Sequence, residues 1–435
     1  MTRISLVLSL ALLSLASPAL AADAVNEAFR VLDAAESAED PSSQLPALEK
    51  LCKKKKPDKV AEMLRKGRRR FEEAPSSEAN RIEDGLGRGT DLYVVIPSKR
   101  PRSGYGVIIL LHGLGGNGQQ LLGQYRSFAQ SQGMVLLSPS AQKLPGGGQP
   151  GPSGKPAEAN EDSMGREPMQ HWWHYRSSGF PLRALSWIKR RLPIDTDRVV
   201  MSGYSMGGFG TWNTGLRFPD RFAGIAPMAG GISRRSAYGM SDPDTESLLG
   251  NARGLPLFFV HGAQDRTVPP TADRMCRDRL KAMKAPFQYY EDPQAAHNLS
   301  AWFGKNRPLY ESWLKKRRRV AWPKTVEHHI IGAYMTRSYW VEVTSMSGSK
   351  ASVRASFKTR NKIELKAEGA NRFKLFLPPD KKLFDPKKKL EVSVNGKRVF
   401  SKKVKPSAAA ILDSWRGRED HAQVSAYMVE VKAKR

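Results

Sequence analysis

Cysteine is nearly absent from this sequence: Cys52 and Cys276 are the two among 435 residues. Two cysteines cannot build a disulfide-rich scaffold, and they are too few for a zinc site made of cysteine ligands. One disulfide between them and two free buried thiols are both compatible with the sequence.

Long apolar runs are scarce as well. The one that stands out covers residues 4–15; Arg3 precedes it and Ala19-Leu20-Ala21 follows it. It is too short to span a bilayer, which takes about 20 apolar residues, and its flanks are typical of a signal peptide. We predict a signal peptide over residues 1–21, cleaved after Ala21 or Ala22, and a secreted or periplasmic protein without a transmembrane segment.

Acidic residues are outnumbered. The chain has 42 Asp and Glu against 71 Lys and Arg, and residues 315–435 alone hold 11 acidic against 30 basic residues, a difference of 19. Basic surface attracts anionic polymers, but no nucleic-acid-binding motif accompanies these charges. We expect a solvated basic face and no specific nucleic-acid partner. The alternative is contact with an anionic polysaccharide or a cell surface through the C-terminal region.

The apolar pattern divides the remaining chain into three parts. Residues 22–84 have helical periodicity and predict an N-terminal helical appendage without recognisable chemistry. In residues 85–319, short apolar runs alternate with helical stretches, which is typical of an α/β fold with a mostly parallel sheet. These runs cover residues 92–96, 107–111, 134–137, 199–201, 222–228, 257–260 and 287–290.

Residues 320–435 have a different pattern, with short alternating strands and the hairpin signal Asn395-Gly396. They predict a small, sandwich-like, all-β domain. Its expected strands cover residues 338–343, 351–357, 362–366, 372–377, 390–394, 399–404 and 426–431.

One motif indicates a specific chemistry. Gly203-Tyr204-Ser205-Met206-Gly207 matches G-x-S-x-G and stands between a buried-strand pattern and a helical stretch. In that context the serine lies on a sharp strand-to-helix turn, which raises its hydroxyl above the sheet as a nucleophile. Glycines on either side relieve the crowding at such a turn.

A serine nucleophile needs a base, and the base needs an acid to orient it; with this motif the chain order is serine, acid, histidine. Asp265 follows the run 257–260, and His297 follows the run 287–290, so both should lie at the sheet edge that carries Ser205. The other candidates are, for the acid, Glu291 and Asp292 and, for the base, His328, His329 and His421.

Backbone donors for an oxyanion are expected next to Ser205. The N–H of Met206, the residue after the nucleophile, is one. The glycine-rich loop of residues 112–118 should supply the other from Leu114, with Gly113 as the alternative. No Gly-Lys-Ser/Thr follows this loop, so it is not a phosphate-binding loop. We expect no cofactor and no metal.

His171-Trp172-Trp173-His174 follows a glycine- and proline-rich loop over residues 141–168. Trp172 and Trp173 are candidates for an aromatic wall of the substrate pocket, with core packing as the alternative. The two histidines lack a third ligand at suitable spacing for a metal. The loop is either a lid or an insertion without a role in catalysis.

Several stretches between residues 90 and 314 form a recognisable set. They are Ile108-Ile109-Leu110-Leu111-His112-Gly113, Asp197-Arg198-Val199 with Gly203-Tyr204-Ser205-Met206-Gly207-Gly208, Phe218-Pro219-Asp220-Arg221-Phe222, Ala226-Pro227-Met228-Ala229-Gly230-Gly231, Val260-His261-Gly262 with Asp265, and Ala296-His297-Asn298-Leu299. With these stretches, residues 90–314 resemble the secreted polyhydroxybutyrate-depolymerase and feruloyl-esterase-like branch of the α/β-hydrolases. The resemblance implies the α/β-hydrolase fold, Ser205, Asp265 and His297 as catalytic triad, and cleavage of feruloyl, acetyl or hydroxyalkanoate esters. Related bacterial sequences are labelled phospholipase/carboxylesterase or peptidase.

We therefore expect a serine hydrolase that cleaves carboxylic esters, small or polymeric, through an acyl-enzyme. A serine peptidase of the same fold and a non-catalytic surface-binding protein with a degenerate hydrolase domain are the alternatives. The favoured triad residues all precede the basic run 315–319, so a chain cut after Arg319 is expected to keep activity on small esters.

Overall fold

A computed structural model of the protein describes residues 18–434, except 67–68, 70, 72–73, 77–78, 84–88, 142, 145–168, 171, 173–178 and 233–244. The helices are α1 (Pro18–Ser37), α2 (Leu45–Lys55), α3 (Pro57–Lys66), α4 (Leu122–Gln132), α5 (Gly179–Lys189), α6 (Met206–Arg217), α7 (Thr271–Ala282), α8 (Ser300–Lys315) and α9 (Ala408–Trp415).

The strands in the first three quarters of the chain are β1 (Ala79–Glu83), β2 (Gly89–Val95), β3 (Tyr105–Leu111), β4 (Met134–Pro139), β5 (Lys143–Leu144), β6 (Met169–Gln170), β7 (Ile194–Tyr204), β8 (Gly224–Met228), β9 (Leu257–Gly262) and β10 (Phe287–Asp292). The later strands are β11 (Thr325–Ile330), β12 (Arg337–Ser338), β13 (Val341–Met346), β14 (Ala351–Thr359), β15 (Lys362–Glu368), β16 (Ala370–Phe376), β17 (Leu390–Val394), β18 (Lys397–Lys402) and β19 (Met428–Lys432).

The main sheet has eight strands in the order β1-β2-β4-β3-β7-β8-β9-β10. The last six run parallel to one another, while β1 and β2 are antiparallel to their neighbours. β3 and β4 are buried along their whole length, as their uninterrupted apolar runs predict. The predicted α/β-hydrolase fold with a mostly parallel sheet is confirmed.

The side chains of β3 show how this sheet separates two apolar layers. Val107, Ile109 and Leu111 belong to the layer under α5, α6 and α7, whereas Ile108 and Leu110 belong to the layer under α4 and α8. Successive side chains of a strand point to opposite faces, so a strand covered on both sides must be apolar throughout. Helices on both faces leave the carboxyl edge of the parallel strands open for a site.

The C-terminal strands form two further sheets, in the orders β11-β14-β15-β17-β18 and β12-β13-β16-β19. Trp340 and Phe357 connect them, with ring centroids 4.8 Å apart. Asn395 and Gly396 form the turn between β17 and β18 at φ of 49° and 80°, as their dipeptide predicts. The predicted C-terminal β region is confirmed. The sequence patterns predicted neither the strand β11 nor the helix α9 of this region.

The N-terminal helices pack against the opposite end of the chain. Apolar side chains of α1, α2 and α3 form one cluster with those of α9; Phe29 and Trp415 meet edge to face with ring centroids 5.6 Å apart. Glu36 accepts a hydrogen bond of 3.0 Å from the N–H of Gly417. The predicted helical appendage is present, and its apolar face is covered by the C-terminal region.

A buried network of ion pairs joins the hydrolase part to the C-terminal region. Arg319, the last residue of the basic run, is 6% exposed and contacts Asp420 at 2.7 Å and Asp197 at 2.8 Å. Asp220 is fully buried against Arg418. The end of a run expected to be solvated is therefore part of an internal interface, because its partners come from residues far away in the sequence.

Apolar packing also continues across this interface. One cluster of buried side chains includes Ile225 of β8, Val326 and Ile330 of β11, and Phe357 of β14. Asn251, in a 3-10 helix over Thr245–Gly254, donates to the carbonyl of His329 at 3.0 Å and accepts its N–H at 2.7 Å. The two parts of the chain share one core.

Both cysteines are free and buried. Cys52 lies in the N-terminal helical cluster, and Cys276 lies on α7 in the layer beneath the main sheet. Of the two states that the sequence allows, the structure has the free thiols.

Across the described ranges, the helices are all too short or too polar to cross a bilayer. Residues 1–17 of the predicted signal peptide lie outside the described residues, and the proposed cleavage position falls within α1.

Candidate active site

Ser205 stands at the corner between β7 and α6, at φ 56° and ψ −118°. Residues other than glycine seldom adopt such a backbone, and the corner persists because the surroundings hold it. A Cβ on Gly207 would lie 1.9 Å from the carbonyl oxygen of Leu111, and one on Gly203 would lie 2.2 Å from that of Gly207. The N–H of Ser205 donates to Met228 of β8 at 2.9 Å. The glycines thus permit the close packing that places Ser205 at the carboxyl edge of the sheet.

Side chains from three separate segments meet at this edge. His297 Nε2 is 2.9 Å from Ser205 Oγ, and His297 Nδ1 is 2.7 Å from Asp265 Oδ2. The other carboxylate oxygen of Asp265 accepts the backbone N–H groups of Thr267 at 2.9 Å and Val268 at 2.8 Å. An ionised carboxylate only accepts, so Nδ1 carries the ring proton and Nε2 faces the serine hydroxyl as an acceptor. The structure brings together the three residues selected from the sequence.

The charge state of Asp265 follows from its surroundings. Its side chain is buried, and burial alone would favour the neutral acid. Hydrogen bonds from His261, His297 and the N–H of Val268 outweigh burial and hold the pKa of Asp265 below its ordinary value. Asp265 therefore faces His297 Nδ1 as a carboxylate.

The competing acids are engaged elsewhere. Glu291 pairs with the Arg274 guanidinium at 2.7 and 2.9 Å, and that hydrogen bond lowers the pKa of Glu291 to about 2. Asp292 accepts the N–H of Gln294 at 2.9 Å. Each hydrogen bond holds its carboxylate away from the ring of His297.

The competing histidines lie in the C-terminal region, away from Ser205. His328 is buried and its Nε2 donates to the carbonyl of Met335 at 2.6 Å. His329 belongs to β11, and His421 lies near the ion pairs of the interface between the two parts of the chain. The structure places none of the three at the carboxyl edge of the main sheet.

Backbone N–H groups next to Ser205 come from the start of α6 and from the 112–118 loop, where a Cβ on Gly113 would lie 3.6 Å from the Cβ of Ser205. The N–H of Met206 is in the first turn of α6 and has no acceptor within the helix. In the 112–118 loop, the N–H of Gly113 donates to Gln120 Oε1 at 2.9 Å, whereas no hydrogen bond within the described residues uses the N–H of Leu114. Of the two loop donors considered from the sequence, Leu114 is the one still available.

The loop has internal supports that the sequence did not reveal. His112 is buried; its Nδ1 donates to the carbonyl of Gly113 at 2.7 Å, and its Nε2 accepts the N–H of Ala141 at 2.8 Å. Burial lowers the pKa of His112, in keeping with a neutral ring that uses one nitrogen in each role. A fixed neutral histidine therefore shapes the loop that carries Leu114.

Trp172 packs beneath this loop. Its side chain is 1% exposed, its Nε1 donates to the carbonyl of His112 at 3.1 Å, and its ring lies edge-on to His112 with centroids 5.4 Å apart. A side chain so enclosed cannot form the wall of an open cleft, so the structure favours core packing for Trp172. Trp173, His171 and His174 lie outside the described residues, as does nearly all of the 141–168 loop.

No group of three or more His, Cys, Asp or Glu side chains is arranged to hold a metal ion within the ranges that the structure describes.

Three further polar residues surround the meeting point, and sequence reasoning missed them. The Tyr204 hydroxyl donates to the carbonyl of His297 at 2.6 Å. Behind Asp265, His261 Nδ1 is 2.7 Å from Asp273 Oδ2, and both side chains are fully buried. A signal was available for His261, which ends the apolar run of β9 as a polar residue. Asp273 offers none, because it resembles any acid in the first turn of a helix.

A family model described as “Putative esterase” matches residues 84–325, more than half of the chain. Among curated proteins, a bifunctional acetylxylan esterase/xylanase of Neocallimastix patriciarum is 27% identical over 182 residues, 41% of this chain and 22% of that protein. A secreted protein of Arthroderma benhamiae is 30% identical over 152 residues, 29% of this chain and 16% of that protein. The chain thus spans less than a quarter of the length of these two relatives.

Among solved structures, an S-formylglutathione hydrolase from Agrobacterium tumefaciens is similar with a TM-score of 0.43 and 17% identity, over 55% of this chain and 95% of that one. The fluorophosphonate-binding serine hydrolase FphF of Staphylococcus aureus is similar with a TM-score of 0.41 and 15% identity, over 55% of this chain and 98% of that one.

Proposed function

The chain belongs to the Esterase family, and from this premise we propose that it is a serine carboxylic ester hydrolase with Ser205, His297 and Asp265 as its catalytic triad. The observation that carries the proposal is the unbroken line of hydrogen bonds from Ser205 Oγ through both nitrogens of His297 to Asp265, at 2.9 and 2.7 Å. That line has the atoms and protonation states that activation of a serine requires.

In the proposed reaction, Ser205 Oγ attacks the ester carbonyl carbon while His297 Nε2 takes the hydroxyl proton. Asp265 stabilises the imidazolium that results and is itself not protonated. The tetrahedral intermediate collapses as the carbon–oxygen bond to the alcohol breaks, and His297 gives the leaving oxygen its proton. A water molecule then repeats the sequence on the acyl-enzyme, releases the acid and restores the Ser205 hydroxyl.

The oxyanion is proposed to accept hydrogen bonds from the N–H groups of Leu114 and Met206. The supporting observation is that the Gly113 N–H, the other loop donor, is occupied by Gln120 at 2.9 Å. Donors held in place before the reaction stabilise the developing charge without further rearrangement. The hydrogen bonds of His112 to Gly113 and Ala141 hold the loop in that position.

We propose acetyl or feruloyl esters of polysaccharide as the substrate class, with hydroxyalkanoate esters as a second group. One similar curated protein is named as an acetylxylan esterase, and the sequence resemblance implies the same ester types. Export by the predicted signal peptide would bring the enzyme to such polymers.

We also propose that the basic C-terminal region contacts an anionic polysaccharide. Strand register brings Lys362, Lys389 and Lys402 to the same end of the five-stranded sheet, because Lys362 pairs with Glu391 and Lys402 with Leu390. Positive charges gathered at one end of a sheet attract an anionic polymer more strongly than the same charges scattered over the surface.

A labelling and substrate experiment tests the function directly. A fluorophosphonate probe should label the full chain on Ser205, and p-nitrophenyl acetate and methyl ferulate should be hydrolysed while peptide p-nitroanilides are not. Hydrolysis of anilides in preference to esters would indicate the peptidase alternative. Absence of both labelling and turnover would indicate a non-catalytic binding protein.

Asp265→Asn is expected to lower kcat by about 10⁴-fold, because an amide facing Nδ1 stabilises the wrong ring tautomer of His297. Glu291→Gln is the matched control. It removes a nearby carboxylate that pairs with Arg274, and kcat should stay within about threefold of the original. If the two variants lost activity equally, the acid would not be Asp265 alone.

A further inference from the structure

A buried pair of charged side chains lies directly behind Asp265. His261, at the end of β9, and Asp273, in the first turn of α7, are both fully buried, and His261 Nδ1 is 2.7 Å from Asp273 Oδ2. His261 Nε2 is 2.8 Å from the carbonyl of Val268 and 3.4 Å from Asp265 Oδ2. The ring is therefore enclosed by oxygen atoms.

These partners determine the protons on the ring. A carbonyl oxygen cannot donate, so Nε2 must carry a proton toward Val268. Nδ1 faces a carboxylate and carries a second proton when Asp273 is ionised. Burial opposes a charge on His261, but the hydrogen bonds to Asp265, Asp273 and Val268 outweigh it and raise the pKa of His261 to about 10. Burial raises the pKa of Asp273 as well, and the hydrogen bonds from His261 and Trp212 act in the opposite direction. With Asp273 ionised, the pair is an imidazolium and a carboxylate, with its positive end toward Asp265.

The line of polar contacts returns to the helix of the nucleophile. Asp273 Oδ1 accepts the Nε1–H of Trp212 at 3.2 Å, and Trp212 is a fully buried residue of α6, the helix that begins directly after Ser205. Hydrogen bonds and close contacts therefore run from Ser205 through His297, Asp265, His261 and Asp273 to Trp212, two turns further along α6. A closed circuit of this kind restrains the loop between β9 and α7 that carries Asp265, here called the acid loop, relative to the nucleophile.

Other titratable groups face the pair from each neighbouring element. Asp265 does so from the loop after β9, and His297 contacts Asp265 in turn. Glu291 and Tyr289 do so from β10, and Cys276 from α7. The charge of Glu291 is balanced by Arg274 at 2.7 Å, so the ion closest to Asp265 on this side is His261.

Building on the proposed triad, we propose that His261 and Asp273 are positioning residues: they hold Asp265 against His297 and tie the acid loop to the helix of the nucleophile. They act through Asp265 and touch neither the substrate nor the reacting atoms. Loss of the charged pair should therefore alter how strongly His297 holds its proton, which a purely structural contact would leave unchanged.

Asp273→Asn tests this with little change of shape. The amide oxygen still accepts from Trp212, its NH₂ donates to Nδ1, and His261 remains hydrogen-bonded to Val268 as a neutral ring. Without the positive charge behind it, Asp265 becomes a stronger base, and the acid limb of the kcat/KM–pH profile should move upward by about half a unit or more. KM at the plateau should not change. His261→Gln, which keeps a donor for Val268 but no charge, should move the limb in the same direction.

Asp195→Asn is the matched control. Asp195 is also a buried carboxylate with a cationic partner, Arg318 at 2.9 Å, but it lies outside the site, so the profile should not move. On the unaltered protein, ¹⁵N-histidine NMR at pH 8 should show a ring with both nitrogens protonated. Profiles of Asp273→Asn and His261→Gln that coincide with that of the original enzyme, or a spectrum of neutral rings only, would overturn the inference. The triad is tested separately, by fluorophosphonate labelling of the unaltered chain.

Discussion

Replacing Ser205 by alanine is expected to lower kcat for p-nitrophenyl acetate by about 10⁴–10⁶-fold while the protein stays folded. In the proposed reaction this side chain supplies the one atom that attacks the ester, and the neighbouring backbone donors cannot replace it. Alanine fits the corner at φ 56° as well as serine does, since both have a Cβ and neither fills more space. Initial rates and circular dichroism of the purified variant measure the two halves of this expectation.

The control for this variant is Ser300→Ala, at an exposed serine where α8 begins, which should leave kcat unchanged. His297→Ala should match the loss of Ser205→Ala, because removing any one member disables the unit. Retention of more than a tenth of the activity by Ser205→Ala would show that another residue is the nucleophile.

A chain that ends after Arg319 is expected to give no soluble, folded enzyme, and this reverses the expectation drawn from the sequence. The cut leaves Arg319 without Asp420 and Asp220 without Arg418, and it uncovers the apolar layer that β11 covers. Breaking one buried ion pair costs about 3–5 kcal/mol, against a total stability of about 5–15 kcal/mol for most domains. Soluble yield, circular dichroism and esterase rate test the outcome; a folded, active fragment would show that the parts are separable.

A point substitution examines the same interface in the full chain. Asp220→Ala leaves Arg418 buried without its carboxylate and should lower the free energy of unfolding by about 3–5 kcal/mol. Asp278→Ala removes the exposed partner of Arg277 and should leave the free energy of unfolding nearly unchanged. Denaturant titration of both variants compares a buried with an exposed ion pair.

The features of the fold and site that could be predicted are those that depend on short-range sequence patterns. The strand–serine–helix corner needs neighbouring glycines, and the parallel strands need continuous apolar runs. Both features can therefore be predicted from residues adjacent in sequence, without knowing their contacts in the fold. Asp265 and His297 follow from their place after two such strands. Chain order then supplies their roles.

What escaped prediction depends on partners distant in sequence. Arg319 resembles any solvated cation until Asp420 faces it, and Trp172 resembles a pocket residue until it is seen under His112. The sequence of β11, Thr-Val-Glu-His-His-Ile, is too polar to predict a strand. The strand forms because other segments supply partners: Met335 accepts a hydrogen bond from the His328 ring, and Asn251 accepts one from the backbone N–H of His329. The His261–Asp273 pair needs two elements to be packed before it has any meaning.

The packing of α1–α3 on α9 determines when the N-terminal helices can reach their final packing during folding. Glu36 and Gly417 are 381 residues apart in sequence, and closing so long a loop has an entropic cost that grows with the logarithm of its length. During translation, α1–α3 are therefore made long before the helix that covers their apolar side chains. Until α9 has been translated, the apolar side chains that α1–α3 turn toward it stay uncovered, and chaperones could bind them there.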